Sequence, residues 1–506
     1  MLKFAPLLLL AISVALSAQQ TVFDESAARH LLSRAGFGAT AAEAQRLSAM
    51  GLEAAVKHLL DQAAQPAATP FEAKAFRIDR KEVAGMTRDE REVVRRRVQR
   101  DDLSQLREFT QWWFGAMQRG DSPLREKLVL FWHGYFTSSM RDVRDSKRMI
   151  QQNELFRREA AGSFRTLLTE ITVDPAMLEY LDNDENRSGK PNENYAREVM
   201  ELFTLGVGNY SEKDISEAAR AFTGWRVNGD EVSLERRGAD RGVKTVLGNT
   251  GRLDTADVLS LLLAQEAAPR HVATRLLRFF VGDVIPPGLH ERISAKLRSA
   301  DWQMAPVLHA LFTDPEFYSD AVRGARILSP VEFIVGIAHR LGETPPATLM
   351  AASASLMGQT LFDPPDVKGW DGGEHWITSA SLLHRNNWAG YLVEGVSMRK
   401  LLSDTESKGG KLSERSLLNS LRGKEWKPAQ RLLPALKAAG VNSAEALVQH
   451  LCQQFLVVAP TTESAAELEA FVKRNGHFKE GTQLPPESFI RTLVHLILSL
   501  PEAQLG

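Results

Sequence analysis

The stretch SPLREKLVLFWHGYF, from Ser122 to Phe136, indicates most directly which fold the chain adopts. Its apolar residues recur at intervals of three and four, which is the spacing of one face of an α-helix. Ser122 followed by Pro123 is typical of a helix start, because serine caps free backbone amides and proline fits the first turn. The stretch therefore predicts a helix with a large apolar face.

The same periodicity extends in both directions from this stretch. It predicts helices over Ala41 to Leu60, with a break at Gly51, and over Arg80 to Gln118. Strand signals are concentrated in residues 226–249, where β-branched residues alternate with glycine and arginine. We therefore predict an all-α fold, a large multi-helix array with a short β-hairpin insertion near 226–249.

The first residues have the order of a secretory signal peptide. Lys3 supplies a positive charge, an apolar run follows from Ala5 to Leu16, and the small residues Ser17 and Ala18 precede a polar segment. The apolar run is shorter than the ~20 residues that a membrane-spanning helix needs. We therefore predict an exported protein, periplasmic or extracellular, that does not span the membrane after its signal peptide is cleaved.

The chain is long enough for more than one structural unit. We predict a signal peptide over residues 1–18, a main helical domain over 19–400 and a C-terminal helical portion over 401–506 that packs on the main domain. A stretch rich in glycine and lysine, Lys408 to Lys411, marks the start of this last portion.

Charge and cysteine content exclude some classes of function. Lysine and arginine number 62 and aspartate and glutamate 63, so the chain lacks the excess positive charge that nucleic acid would select, and we expect no nucleic-acid partner. Cys452 is the one cysteine, so an internal disulfide is excluded, and its apolar helical neighbours predict a buried thiol.

Several long motifs resemble one known family. The longest is PNENYAREVMELFTLGVGNY, residues 191–210, followed by EAARAFTGW at 217–225. The others, in chain order, are HLLSRAGFG at 30–38, LVLFWHGYFTSS at 128–139, RLLRFFV at 275–281, PVEFIVG at 330–336 and DPPDVKGWDGGEHWI at 363–377. Together they are similar to the family catalogued as Domain of Unknown Function 1800. The resemblance implies an exported bacterial protein and brings no particular reaction with it.

Helix 122–136 and its surroundings supply the first candidate site. His133 could ligate a metal or carry a proton, with Trp132 beside it as a cofactor contact, or it could be a hydrogen-bonded core histidine. We favour the core histidine. At Tyr135 many members of the resembling family have a second histidine, and this difference weakens a metal site that depends on a histidine pair.

Glu198 and Glu201 are the second candidate. Their spacing of three places both carboxylates on one helix face, where they could share a proton or bind a cation. The alternative is a structural ion pair, with Arg220 or Arg226 as the expected partner of Glu198. With His133, the two glutamates are the candidate catalytic residues of a site that could hold a divalent metal.

The loop DNDENRSGKPNE, Asp182 to Glu193, is the third candidate. Oxygen-bearing side chains fall at positions 1, 3, 5, 7 and 12, the ligand spacing of a calcium-binding EF-hand; these residues are Asp182, Asp184, Asn186, Ser188 and Glu193. Position 6, where that loop needs glycine, is Arg187. We favour an Asn/Asp-rich turn over a calcium site.

The loop over residues 358–378 is the fourth candidate. It contains Trp370 and Trp376 beside Asp371 and His375, a combination that would suit a carbohydrate surface or a redox-modified side chain. Trp370 is the candidate cofactor contact in this loop. Buried tryptophans that anchor the loop are the alternative. No GxSxG, HExxH, Walker, GxGxxG or CxxC motif occurs in the sequence, which argues against the enzyme classes that depend on them.

Two functional hypotheses follow. The first is an exported binding or assembly protein of the cell envelope, with an envelope protein or a carbohydrate as its partner. The second is an exported metal- or redox-dependent enzyme with its site near Trp132, His133, Glu198 and Glu201. We favour the first, because no catalytic motif is complete.

Overall fold

The computed structural model of the chain describes residues 23–66, 71–78, 81, 83–395, 427–429, 431–475 and 484–506. The predicted signal peptide and the proposed boundary at residue 401 lie outside the described residues. Within them, helices dominate and the strands form two small antiparallel hairpins, which confirms the predicted all-α class. No helix in these ranges is long and apolar enough to cross a membrane.

The helices of the first half of the described chain follow one another with short connections. They are α1 Glu25–Arg34, α2 Ala41–Met50, α3 Leu52–Ala64, α4 Arg88–Arg119, α5 Pro123–Tyr135, α6 Met140–Val143, α7 Ser146–Arg158, α8 Phe164–Thr172, α9 Pro175–Tyr180, α10 Asn194–Glu198 and α11 Glu212–Ala221. A π-helical segment, Val199–Thr204, continues α10 directly.

Local sequence signals explain where these helices begin and end. Gly51 has φ 78°, a conformation that favours glycine, and it separates α2 from α3 at the predicted break. The predicted helix over Arg80 to Gln118 begins later than expected, at Arg88. Thr87 and Glu90 form a capping box there. The hydroxyl of Thr87 accepts a hydrogen bond from the N–H of Glu90, and the carboxylate of Glu90 accepts one from the N–H of Thr87.

Two β-hairpins follow α11, where the sequence predicts one. Strand β1, Trp225–Asn228, pairs antiparallel with β2, Glu231–Leu234, and β3, Lys244–Val246, pairs with β4, Asn249–Gly251. The second hairpin packs on α11, where Lys244 and Val246 are buried. The hairpins thus form a small insertion at the edge of the helical array.

The helices of the second half resume after the hairpins. They are α12 Thr255–Ala264, α13 Ala267–Phe280, α14 Pro287–Ser299, α15 Met304–Phe312, α16 Pro330–Leu341, α17 Ala347–Leu356, α18 Ser379–Glu394, α19 Leu432–Ala438, α20 Ala444–Phe455, α21 Thr462–Asn475 and α22 Glu487–Leu498.

Helix α5 lies inside the array and packs against α3, α4 and α7. The C-terminal helices share the same core, since α22 packs on α18 and α20 packs on α16, and a bridge joins Ile327 to Leu505. Cys452 is buried on α20, as predicted, and burial raises the pKa of its thiol to about 11, helped by the charge of Glu502. This thiol is therefore a core side chain.

A cluster of buried charges joins α5 to α16. Lys127 on α5 and Arg326 both pair with Glu332 on α16, and all three side chains are nearly inaccessible to solvent. Burial lowers the pKa of Lys127 to about 8, although Glu332 opposes this shift. Burial alone would raise the pKa of Glu332, but the two cations hold it well below its ordinary value. The carboxylate of Glu332 therefore compensates two buried cations.

We expect Glu332→Gln to destabilise the protein by about 3 kcal/mol or more, because it leaves Lys127 and Arg326 buried without a counter-charge. The midpoint of urea unfolding at neutral pH measures the effect. Asp61→Asn, which removes the exposed i,i+4 pair of Asp61 with Lys57, is the control and should leave the midpoint nearly unchanged. Equal effects of the two substitutions would contradict the assignment.

Candidate functional site

Trp132 and His133 both lie in the core at the C-terminal end of α5. The indole of Trp132 donates a hydrogen bond to the carbonyl of Ala160 at 2.9 Å. Nε2 of His133 accepts a hydrogen bond from the backbone N–H of Phe362 at 3.0 Å, and its ring packs against Trp113 and Trp370. Burial lowers the pKa of His133 to about 3. His133 is therefore a neutral core histidine that fixes the start of the loop after Phe362.

Glu198 and Glu201 lie where α10 passes into the π-helical segment. The wider turn is closed by the N–H of Leu205, which donates to the carbonyl of Met200 at 2.8 Å. Glu201 accepts a hydrogen bond from the hydroxyl of Tyr210 at 3.0 Å. Burial raises the pKa of the half-buried Glu198, and the charge of Glu201 adds to this rise. Glu198 and Glu201 are thus neighbouring carboxylates of like charge, and Glu201 is the one that is hydrogen-bonded to Tyr210.

The expected cationic partners of Glu198 are engaged elsewhere. Arg220 pairs with Glu217 and Asp240, and Arg226 pairs with Glu235. The positive charges that act on Glu198 are those of its neighbour Arg197 and of Lys368 in the loop after Phe362. The prediction of Arg220 or Arg226 as the partner was wrong, because both arginines serve the hairpin insertion.

The loop over residues 363–376, hereafter the tryptophan loop, approaches both candidate groups. Its Trp370 ring lies 5.7 Å from that of His133, and its Lys368 acts on Glu198. Among the described residues, however, no hydrogen bond or ion pair joins His133 to either glutamate, and no group of three or more His, Cys, Asp or Glu side chains is arranged to hold a metal ion. The loop contacts His133 and acts on Glu198 through its charge, but it does not join the two into one site.

The calcium-like loop uses its own side chains for internal hydrogen bonds. The Asn186 amide is buried; it donates to Asn183 and to the carbonyl of Ala219, and it accepts from the N–H of Asn192. Glu193 at the last position pairs with Arg197. Asp182 has a left-handed backbone conformation. A short 3-10 turn over Asn183–Glu185 begins directly after it and includes Asp184. The geometry is that of a hydrogen-bonded turn.

A cleft of about 340 Å³ opens between α5, α13 and the tryptophan loop. Its lining includes aromatic rings and charged side chains as well as aliphatic and neutral polar residues. The residues that matter for its chemistry are Tyr135, Arg275, Arg278, Phe279, Asp283, Arg326, Glu332, Lys368, Trp370, Asp371 and Trp376. We call it the Arg275 cleft. Its volume lies near the lower end of the ~300–1,000 Å³ of small-ligand pockets.

Arg275 is the central charge of this cleft. Its guanidinium carbon lies 4.8 Å from the ring centroid of Tyr135, and one nitrogen donates to the carbonyl of Gly134 at 3.4 Å. The side chain is half-buried, and the titratable groups that act on it among the described residues are Tyr135 and Arg278, neither of them a carboxylate. Burial lowers the pKa of Arg275, and neighbouring Arg278 lowers it further, although Tyr135 opposes the shift. Arg275 is thus a desolvated cation without a counter-ion in this part of the chain.

The floor of the cleft is formed by the Arg326–Glu332 ion pair described above. Both terminal nitrogens of Arg326 contact Glu332, but its buried Nε has no hydrogen-bond partner among the described residues. A buried donor without a partner is costly, and a bound polar ligand or water would remove that cost.

The rim of the cleft carries balanced charge. Arg278 and Lys368 are exposed there, and so are Asp283 and Asp371. Among the described residues, no cation forms an ion pair with either aspartate. The deep charge of Arg275 and the mixed charges of the rim give the cleft a positive interior and a nearly neutral mouth.

Glycine lets the tryptophan loop lie close to α5. Gly369 has φ +87°, and a Cβ at this position would lie 2.7 Å from the carbonyl oxygen of Gly134. Thr137 fixes the same contact through a 2.6 Å hydrogen bond from its hydroxyl to the carbonyl of Val367. This close approach places Trp370 at the wall of the cleft, half-buried, while Trp376 is buried behind it.

Sequence reasoning identified Trp370 but missed Arg275. The signal was present in the run RLLRFFV, where Arg275 and Arg278 stand three apart on a helix that is otherwise apolar at its end. That spacing puts both cations on one face. What the sequence could not show is that this face turns toward Tyr135 and the tryptophan loop.

We expect acid to destabilise the protein partly through His133. Its pKa is about 3 in the folded chain and near 6.5 when exposed, so its contribution to stability is complete above pH 6.5 and is lost as pH falls toward 3. His133→Gln should remove about 2 kcal/mol of the stability difference between pH 7 and pH 4.5, as measured by urea unfolding. His375→Gln, at an exposed histidine, should keep the wild-type pH dependence. An unchanged pH dependence in His133→Gln would contradict the assignment.

Comparison with known proteins places the chain in a family. Neither a curated protein nor a solved structure matches it. One family model, described as "Protein of unknown function (DUF1800)", matches residues 30–505, which is nearly the whole chain and includes α5, α13 and the tryptophan loop. The chain therefore belongs to the DUF1800 family.

Proposed function

We propose that this protein is an exported binding protein of the cell envelope and that it takes an anionic ligand in the Arg275 cleft. The single observation that carries the proposal is the position of Arg275, a half-buried cation that faces an open cleft without a carboxylate partner in the described chain. Burying a charge is costly unless an opposite charge or hydrogen bonds compensate it. A ligand anion would supply both.

The chemistry of the guanidinium supports a carboxylate or similar oxyanion. Its planar group presents N–H donors in a fixed fork that matches two oxygens of one anion. The ring of Tyr135 covers one face of this group and holds its orientation, because the tyrosine hydroxyl is itself bonded to the carbonyl of Phe203 at 2.9 Å. Arg275 is therefore oriented before any ligand arrives, which lowers the entropy cost of binding.

The enzyme hypothesis draws less support from the same geometry. Trp132 and His133 are both engaged in core hydrogen bonds and do not line the Arg275 cleft. Glu198 and Glu201 do not line the cleft either. Among the described residues, the hydrogen bond of Glu201 comes from Tyr210, and no histidine is bonded to either glutamate. A metal- or redox-dependent activity near Trp132, His133, Glu198 and Glu201 remains a prediction without an observation in its favour.

We expect acetate to stabilise the protein through Arg275. Replacing chloride with acetate at constant ionic strength should raise the melting temperature of the wild-type protein, because a carboxylate compensates the buried cation. Arg275→Met, which keeps much of the apolar stem, should abolish the rise. Differential scanning fluorimetry measures both.

The matched control is Arg270→Gln on the same helix, where Arg270 pairs with Glu291 away from the cleft. This variant should respond to acetate like the wild-type protein. Circular dichroism of Arg275→Met checks that it still folds. If acetate shifts Arg275→Met and wild type by the same amount, the cleft does not bind the anion through Arg275 and the proposal fails.

Export has its own test. The full-length gene, expressed in a bacterial host, should give a protein recovered outside the cytoplasm whose first residue is close to Gln19, as read by N-terminal sequencing. Leu9→Arg breaks the apolar run and should retain the protein, with Met1 intact, in the cytoplasm. A conservative change, Leu9→Ile, should leave export unaffected. Intact wild-type precursor in the cytosolic fraction alone would overturn the export proposal.

A further inference from the structure

We infer that the anion taken by the Arg275 cleft is a carboxylated sugar, a uronic acid residue. This inference rests on the proposed function and adds to it the chemical class of the ligand. Three features of the cleft carry it: a deep guanidinium, an aromatic wall, and carboxylates at the mouth. Each matches a different part of one sugar ring.

The deep part of the cleft suits a single carboxylate. Arg275 offers a fork of N–H donors, of which one has a partner among the described residues, the carbonyl of Gly134. A planar carboxylate with two acceptor oxygens can take two parallel hydrogen bonds from Arg275.

The wall suits the flat apolar face of a pyranose ring. Trp370 lines the cleft and is half-buried, so part of its indole faces the opening. Its back is supported by His133, with ring centroids 5.7 Å apart, and by the close approach of the loop at Gly369. A rigid aromatic surface beside polar groups is a common arrangement in ligand pockets, because it orients a ligand at low entropy cost.

The mouth suits hydroxyl groups. Asp283 and Asp371 are exposed at the rim, and no described cation pairs with either. An ionised carboxylate accepts hydrogen bonds only, so these two side chains can accept them from sugar hydroxyls, which would replace water there. Arg278 and Lys368 balance their charge, which makes the rim nearly neutral. A ligand with one negative charge at one end and hydroxyls at the other fits this pattern.

An acidic peptide fits the same cleft less well. Its negative charges repeat along the chain, so a second carboxylate would meet Asp283 or Asp371 at the mouth. Its backbone also carries amide donors and acceptors that need partners in sequence, whereas the aromatic wall offers none. The sugar is therefore the ligand for which we argue, and the peptide is one outcome of the test.

Isothermal titration of the purified exported protein with D-glucuronate, D-glucose and acetate tests the inference. Glucuronate should bind at least about tenfold more tightly than either glucose or acetate, because it alone engages Arg275 and the rim together. Arg275→Lys keeps the charge but loses the planar fork, and should weaken glucuronate binding by about tenfold or more. Arg270→Gln is again the matched control and should bind like wild type.

Rim and wall variants separate the sugar from its carboxylate. Asp371→Asn and Trp370→Leu should weaken glucuronate binding and leave acetate binding unchanged. Asp371 is exposed, so its substitution tests the inference even if Trp370→Leu disturbs folding. Equal affinity for acetate and glucuronate would overturn the sugar while the proposed anion site stands. Tighter binding of triglutamate than of glucuronate would overturn it in favour of a peptide. If none of these anions binds, the proposed function falls as well.

Discussion

Helix α5 is buried along almost its whole length, and this constraint determines much of the structure around it. A buried polar group must find a partner inside the protein, because it cannot reach water. The polar side chains of α5 therefore tie it to its neighbours. These ties are Arg125 to carbonyls at the end of α3, Glu126 to Arg157, Lys127 to Glu332, Trp132 to Ala160, His133 to Phe362 and Tyr135 to Phe203.

Arg275 is the exception that gives the cleft its character. The buried arginines, unlike the half-buried Arg275, end on backbone carbonyls, as Arg34 does at the end of α13, or on a carboxylate, as Arg157 does. Arg34 also shows that the fold can satisfy a fully buried guanidinium with carbonyl oxygens alone. Arg275 has one long hydrogen bond and an aromatic face instead. The charges of the buried arginines are thus compensated within the protein, whereas the charge of Arg275 faces the open cleft.

The sequence predicted the helical class because apolar spacing reflects burial directly. It located the break between the second and third helices because Gly51 can adopt the positive φ that occurs there. It predicted one hairpin where there are two, since residues 226–249 contain strand signals without showing how they pair. His133 was expected to be a core histidine or a ligand, but its acceptor role depends on Phe362, more than 200 positions away in the chain. Arg275 is part of a charge pattern that the sequence shows. Its significance is that no carboxylate of the described residues pairs with it, and a sequence alone cannot show that a partner is missing. The roles of His133 and Arg275 both depend on how segments that are distant in the chain bury and orient their side chains.

The π-helical segment links the two polar regions of the molecule. The carbonyls of Leu202 and Phe203 lie in its last turn, where a helix leaves carbonyls free to accept hydrogen bonds from outside. His271 on α13 is hydrogen-bonded to the first at 2.8 Å, and the hydroxyl of Tyr135 donates to the second at 2.9 Å. His271 stands one turn before Arg275 on α13, and Tyr135 carries the ring on which Arg275 stacks. Both sides of the arginine are thus tied to the segment that holds Glu201.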